Sequence, residues 1–358
     1  MEINPAIWAG RRVLVTGHTG FKGAWLAYWL QSLGASVAGL SLDPITSPNL
    51  CDEIGLSDRL VRDFRININH ADAVLEAFDQ FGPEFVFHLA AQAIVIDGYQ
   101  DPVGTFATNV VGTVNVLEAI RKTPGLGAAL IVTSDKCYEN ETNVRPHLEE
   151  DPLGGADPYS ASKACAEIAT ASYMSSFLNG ASIPVATARA GNVIGGGDWS
   201  AHRLVPDCVR SFAKGEAVVL RNPDFVRPWQ HVLDSLSGYL VLSAHLLSSD
   251  GALYAGAWNF APDAASSVTV DKVAAAACAA WGDGAQFVIE RQANAVKESR
   301  HLSLDAQKAS AQLGWQAHWG GLRGVTKAIE WYRGHYAGEN AASLCDRQLD
   351  EYARLLRP

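Results

Sequence analysis

A chain of 358 residues with 48% hydrophobic content is long enough for one large α/β unit plus a smaller second lobe, and too long for a single small core. Its 28 Lys and Arg against 38 Asp and Glu leave a net charge of -10, which argues against nucleic acid or an anionic membrane as a partner. Any anionic ligand must then be held by local arginines.

The first predicted element is the apolar, β-branched strand Arg12-Val13-Leu14-Val15-Thr16. It runs into Gly17-His18-Thr19-Gly20-Phe21-Lys22-Gly23, after which Ala24 to Leu33 has helical periodicity. Strand, glycine turn and helix with G-x-x-G-x-x-G spacing suit a dinucleotide. Gly17 permits the tight turn, Gly20 lets the backbone approach a pyrophosphate, and Gly23 allows close packing of helix on sheet, while the helix N-terminus faces the phosphates. His18 and Lys22 lie inside the turn, where they are expected to add charge-assisted contacts to the phosphates.

Further strands are predicted at Ser36 to Leu40, Phe85 to Leu89, Leu130 to Ser134 and Val185 to Arg189, with helices over 71–81, 105–122 and 158–178. This alternation predicts an α/β fold with a Rossmann-like, doubly wound parallel sheet. Its ligands should sit at the carboxyl ends of the strands, where Gly17, Ala90, Ser134 and Gly191 fall. After about residue 190 the pattern becomes irregular, as expected of a smaller C-terminal substrate-binding lobe; the Ala-rich stretch 274–280 reads as a packed helix. The expected division is 1–190 for the dinucleotide, with a returning segment near 228–262, and 191–358 mainly for the substrate.

Within the 158–178 helix, Tyr159 and Lys163 are four residues apart and share a face. A phenol with an ordinary pKa of about 10 is a poor base unless a cation stabilises its anion. Asp157 is a suitable N-cap and Pro158 fits the first helical position, so Tyr159 is expected near the positive end of the helix dipole, with Lys163 and the dipole both lowering its pKa.

Six cysteines, Cys51, Cys137, Cys165, Cys208, Cys278 and Cys345, show no C-x-x-C pair and no zinc spacing, so reduced thiols and no metal are expected. Met1-Glu2-Ile3-Asn4-Pro5 lacks a basic region followed by an apolar one, and no run of about 18 apolar residues occurs, so a cytoplasmic protein without membrane contact is expected.

Four strings complete the reading: Ser134-Asp135-Lys136-Cys137-Tyr138-Glu139-Asn140, Asp151-Pro152-Leu153-Gly154-Gly155, Arg189-Ala190-Gly191-Asn192-Val193-Ile194-Gly195-Gly196-Gly197-Asp198-Trp199 and Arg227-Pro228-Trp229-Gln230-His231-Val232. With the glycine turn and Tyr159/Lys163, they resemble the extended short-chain dehydrogenase/reductases over nearly the whole chain. That superfamily holds nucleotide-sugar dehydratases, epimerases and decarboxylases. The strings are specifically similar to its bacterial CDP-glucose 4,6-dehydratase branch.

The resemblance implies a lyase of deoxysugar biosynthesis, as for lipopolysaccharide O-antigen. CDP-D-glucose would become CDP-4-dehydro-6-deoxy-D-glucose by C4 oxidation, loss of water across C5 and C6, and hydride return to C6. It implies Tyr159 as base, Lys163 as the holder of the nicotinamide ribose, Ser134 on the 4-oxygen and Asp135 as the acid for the 6-hydroxyl. The C5 base is left open between a neutral Lys136 and Asp135. Asn192 and Arg227 would meet the sugar diphosphate, with Arg203 and Arg300 as further candidates. NAD would be the cofactor, met by the glycine turn with Phe21, by Ser41, Asn67 and Ile68, by Leu89, Ala90, Ala91 and Gln92, and by Asn109. Relatives pair through two helices each, implying a homodimer through 105–122 and 158–178.

Two departures stand out. Ser41, followed by Leu42 and Asp43, replaces the usual acidic residue at the adenosine ribose, which leaves NAD over NADP resting on the resemblance. Where relatives read Gln-Pro-Leu-Val-Arg-x-Ser-Tyr, this chain has Gln92-Ala93-Ile94-Val95-Ile96-Asp97-Gly98-Tyr99. Loss of a cation and a hydroxyl beside the sugar keeps open an alternative: an epimerase or decarboxylase with altered sugar specificity.

Overall fold

The computed structural model describes residues 3–139, 145–263, 266–290 and 302–357. Its centre is built from β1 (Arg12–Thr16), β2 (Ser36–Ser41), β3 (Arg62–Arg65), β4 (Phe85–His88), β5 (Ala128–Val132), β6 (Val185–Arg189) and β7 (Gly256–Asn259). Among the described residues these seven form one sheet in the order β7-β6-β5-β4-β1-β2-β3. All its pairings are parallel. The order reverses between β1 and β4, and a doubly wound sheet opens its ligand crevice at such a point.

The period-two alternation of side chains divides the core. Val13, Val15, Phe85, Phe87 and Leu130 face one side with Trp8 and Trp25, whereas Leu14, Leu40, Val86, Ile131 and Val185 face the other with Phe78. Both faces are covered, which is why the inner strands read as continuous apolar runs.

All five predicted strands are present, β1 and β6 with the predicted ends and β2, β4 and β5 with shifted ones. β5 stops at Val132, and Ser134 lies beyond it, capping a short 3-10 turn over Asp135–Cys137. β3 went unpredicted because its Arg62-Asp63-Phe64-Arg65 is polar and lies at the sheet edge, where one side needs no apolar cover.

Helices α1 (Phe21–Ser32) and α2 (Ala71–Phe81) match their predicted places, α1 beginning three residues early because Gly20 is its N-cap. The 105–122 stretch is α3 (Pro102–Phe106), a π-helical turn at Ala107–Val111, and α4 (Gly112–Lys122). The 158–178 stretch is α5 (Pro158–Tyr173) followed by a second π turn, Met174–Leu178. The Asp157 carboxylate accepts from Ser160 N at 3.0 Å, the expected N-cap.

The later part of the chain adds α6 (Val232–Leu246), which packs on β5 and β6, and α7 (Val270–Trp281), α8 (Gly321–Tyr336) and α9 (Ala341–Leu356), with α8 resting on α7 and α9. Asp234, fully buried in the first turn of α6, ties that helix to α9 and to the segment just before α8. Its Oδ1 accepts from His318 N at 2.8 Å, Trp319 N at 3.0 Å and Tyr352 Oη at 2.8 Å. Burial raises its pKa to about 6.

Candidate active site

A cleft of about 1560 Å³ runs along the carboxyl ends of the sheet strands and under the later lobe. Gly17, Gly20, Phe21, Lys22 and Gly23 line it, as do Ser41, Asn67, Ile68 and Leu89 to Gln92. So do Ser134, Asp135, Lys136, Tyr159, Lys163, Asn192, Arg203 and Arg227. Arg300 lies outside the described residues.

At the glycine turn β1 passes into α1 with almost no clearance. Gly17 has φ +75, and a Cβ there would stand 2.7 Å from Ala90 N; a Cβ on Gly23 would stand 2.1 Å from Gly17 O. Gly20 offers no side-chain cap, so the first N–H groups of α1 face the cleft. Thr19 Oγ1 joins Ser41 Oγ at 2.8 Å and donates to Leu42 O at 3.0 Å, fixing the end of β2 to the turn. Arg65 of β3 reaches this strand end, with its guanidinium 2.7 Å from Asp63 and 3.5 Å from Asp43.

Three residues of the predicted cofactor set take other positions. His18 is buried beneath β2 and β3, with Nε2 3.0 Å from Asp63 Oδ1 and its ring filling the space that a side chain at Gly39 would need. Burial lowers its pKa to about 4, so it brings no charge to a phosphate. Lys22 enters the cleft but turns away from the glycine loop, its Nζ donating to Tyr239 Oη of α6 at 3.2 Å. Asn109 is 1% exposed and lies behind the cleft wall. It accepts from Gln92 N at 2.8 Å and donates to Gln92 O at 3.0 Å and Ser162 Oγ at 2.9 Å, clamping the 92–99 loop to α5. A second clamp joins Thr16 Oγ1 to His88 Nδ1 at 2.7 Å and His88 Nε2 to Thr113 Oγ1 at 3.0 Å.

The predicted catalytic groups converge. Ser134 Oγ donates to Asp135 Oδ1 at 3.0 Å, and Asp135, 3% exposed, seats its other oxygen without a hydrogen bond. That seat exists because residue 191 is glycine: a Cβ there would stand 1.9 Å from Asp135 Oδ2. Gly191 was legible only as a strand-end residue, since nothing in the sequence says which side chain it makes room for.

Tyr159 is buried, and its pKa is pushed up to about 12 by burial, against the opposing pull of a hydrogen bond with Ser134 and of Arg203. The expectation that Lys163 would lower it does not hold. The Lys163 ammonium donates to Val132 O at 3.4 Å, and burial brings its own pKa down to about 8. One helical turn on, Glu167 accepts from Thr133, from Thr187 at 2.7 Å and from Arg189 at 2.8 Å, pinning α5 across β5 and β6.

The substrate candidates line the same cleft. Asn192 has φ +46, a left-handed backbone that the surrounding fold must hold in place. Arg227 is 6% exposed and lies 5.3 Å over the Phe225 ring. Arg203 pairs with Asp198 at 3.3 Å and bears on both Tyr159 and Lys22, which puts it at the reaction centre.

The family model described as "NAD dependent epimerase/dehydratase family" matches residues 13–254. The chain belongs to the NAD dependent epimerase/dehydratase family. It is 41% identical to the CDP-glucose 4,6-dehydratase of Salmonella typhimurium over 98% of each chain. The structure is similar to the Thermus thermophilus UDP-glucose 4-epimerase complex with NAD, at 26% identity and TM-score 0.75, covering 90% of this chain and 99% of the other. The Bacillus anthracis dTDP-glucose 4,6-dehydratase complex with NAD shares the fold at 21% identity and TM-score 0.74, covering 93% of this chain and all of the other (100%).

This epimerase/dehydratase cleft fits the dinucleotide of the family's description. Gly17 and Gly23 let the turn close tightly on Ala90 and on itself, and the first N–H groups of α1 carry no side-chain cap, which leaves them for an anion at the helix N-terminus. Gly17, Gly20, Phe21 and Gly23 would hold the pyrophosphate, Ser41, Asn67 and Ile68 the adenosine end, and Leu89 to Gln92 with Lys163 the nicotinamide end.

Proposed function

We propose that this chain is an NAD-dependent nucleotide-sugar 4,6-dehydratase, a lyase that converts CDP-D-glucose to CDP-4-dehydro-6-deoxy-D-glucose. Supporting this reading is its 41% identity to a CDP-glucose 4,6-dehydratase along 98% of the chain. The observation that carries it is the seat of Asp135: a buried carboxyl group between Ser134 and Gly191, one oxygen unpartnered, in the cleft with Tyr159. An epimerase leaves the 6-hydroxyl in place and needs no such acid.

NAD, when bound, supplies the acceptor for the C4 hydride and the donor for C6. Tyr159 takes the proton of the 4-hydroxyl, with Ser134 donating to the same oxygen as it becomes a carbonyl. The carbonyl acidifies C5, where Asp135 or Lys136 removes the proton; Asp135 protonates the departing 6-hydroxyl, and a proton is returned to C5 from the same side chains when C6 receives the hydride. Asn192 and Arg227 hold the diphosphate, Arg227 through its planar fork.

A second reading, an epimerase or decarboxylase with altered sugar specificity, is favoured by the 93–98 loop, because Ile96 and Asp97 line the cleft. Residues 1–190 would carry the cofactor and 191–358 mainly the sugar nucleotide, with β7 returning to the sheet. Phe106 and Val111 before α4, and Ile168 and Phe177 on the α5 run, are exposed apolar residues that suit a homodimer through four helices. The Pro102–Lys122 run is apolar enough to cross a membrane by composition, but packing against α2 and α5 supports its reading as a core helix of a cytoplasmic enzyme.

The test is incubation with NAD and, separately, CDP-, dTDP-, UDP- and GDP-glucose, following product mass and cofactor absorbance. Loss of one water from CDP-glucose without net NADH is expected. Epimerised sugar of unchanged mass, or loss of carbon dioxide from a nucleotide-linked hexuronic acid supplied in parallel, would establish the second reading instead.

A further inference from the structure

The adenosine end of the cleft lacks the side chain that would refuse a phosphate. In a dinucleotide-binding sheet the end of the second strand ordinarily carries an acidic residue, which bonds the ribose 2′-hydroxyl and repels a 2′-phosphate. Here that place is held by Ser41, whose Oγ lies 2.8 Å from Thr19 Oγ1 of the glycine turn. Thr19, Ser41, Leu42 and Asp43 all line the cleft. Two neutral hydroxyl groups, each able to donate or to accept, suit a 2′-hydroxyl and a 2′-phosphate alike.

The fold also brings a cation to this point. Arg65 is the register partner of Ser41 where β3 pairs with β2, so the two side chains stand on one face of the sheet. Its guanidinium is held unequally at its two ends. Nη2 is anchored by Asp63 at 2.7 Å and by Ser57 Oγ at 2.8 Å. Nη1 reaches only Leu42 O at 3.4 Å and Asp43 at 3.5 Å, both longer than the roughly 2.9 Å of a charge-assisted bond. The Asp43 side chain is 87% exposed and that of Arg65 32%. Asp43 can therefore withdraw into water, and Nη1 can take a stronger acceptor.

We infer that the adenosine end also accepts the 2′-phosphate of NADP, with Arg65 holding it and Ser41 and Thr19 donating to it. The inference rests on the NAD-dependent reading above and widens it to a second dinucleotide. Either cofactor serves the reaction, because the hydride taken from C4 returns to C6 and no net electrons pass to or from the cellular pool. Asp63 offsets the charge of Arg65 and Asp43 adds a negative one, so the site admits NADP without preferring it.

The test is calorimetric titration of the whole protein, freed of copurified dinucleotide, with NAD+ and separately with NADP+, without sugar. Wild type should bind NADP+ within about tenfold of NAD+. Arg65→Gln should weaken NADP+ by about tenfold and leave NAD+ nearly unchanged. Ser41→Asp, which puts a carboxylate at the end of β2, should weaken NADP+ by at least about tenfold while keeping NAD+, and it decides the matter if the glutamine variant does not fold. NADP+ bound by wild type more than about tenfold more weakly than NAD+, or an affinity ratio unchanged in either folded variant, overturns the inference. A wild-type protein that binds neither dinucleotide overturns the NAD-dependent reading as well.

Discussion

A Cβ at Gly191 would stand 1.9 Å from Oδ2 of Asp135, so the end of β6 and the turn after β5 are fitted to each other at the width of one methyl group. Gly191→Ala must displace the carboxyl group. Crowding of this kind destabilises by about 1–3 kcal/mol. A shift of an ångström in a catalytic group lowers kcat by about 100-fold. Thermal melting and dehydratase turnover, measured together, should show the second effect far exceeding the first.

Tyr159→Phe should lower kcat by about 10²–10⁴-fold, the usual worth of a positioned base. The phenol is buried and its pKa is pushed up to about 12, so the phenolate fraction in wild type grows with pH throughout the neutral range. A rate profile that climbs between about pH 7 and about pH 9 in wild type and is flat in the phenylalanine variant is the expected result.

Acid should destabilise the fold through His88. Burial between Thr16 and Thr113 lowers its pKa from 6.5 to about 3, so the folded protein stays unprotonated where the unfolded chain takes up a proton. Stability from this group is complete above pH 6.5 and drains away as pH falls toward about 3. The slope is at most about 1.4 kcal/mol per pH unit. His231, also lowered to about 3 by burial, adds a second contribution of the same sign. Calorimetry of His88→Gln across this range should give a shallower acid limb than wild type, with the His231 part remaining.

The altered loop can be tested at Ile96, which lines the cleft and is 38% exposed, so an arginine fits there without crowding. Ile96→Arg should change the KM for the sugar nucleotide by at least about threefold, corresponding to a single exposed charge interaction. The melting temperature should hardly move. An unchanged KM would place the loop's influence elsewhere.

Much of this was legible in the sequence because the relevant signals are local. The G-x-x-G-x-x-G turn, the Asp157 cap and the placing of Tyr159 and Lys163 on one helical face need only neighbouring residues. What failed depended on distant packing. His18 reads as a loop cation until β2 and β3 bury it. Lys22 reads as a phosphate ligand until α6, more than 200 residues later, offers Tyr239. The pKa of Tyr159 was set by burial, a property of the assembled core, and not by its helical neighbour.

β7 comes from residues 256–259, yet it pairs along β6, which ends at residue 189. A nascent chain therefore leaves one side of β6 unsatisfied until the segment beyond residue 259 has left the ribosome. Fragments cut near residue 190 would carry that bare edge permanently and should associate with one another instead of folding alone.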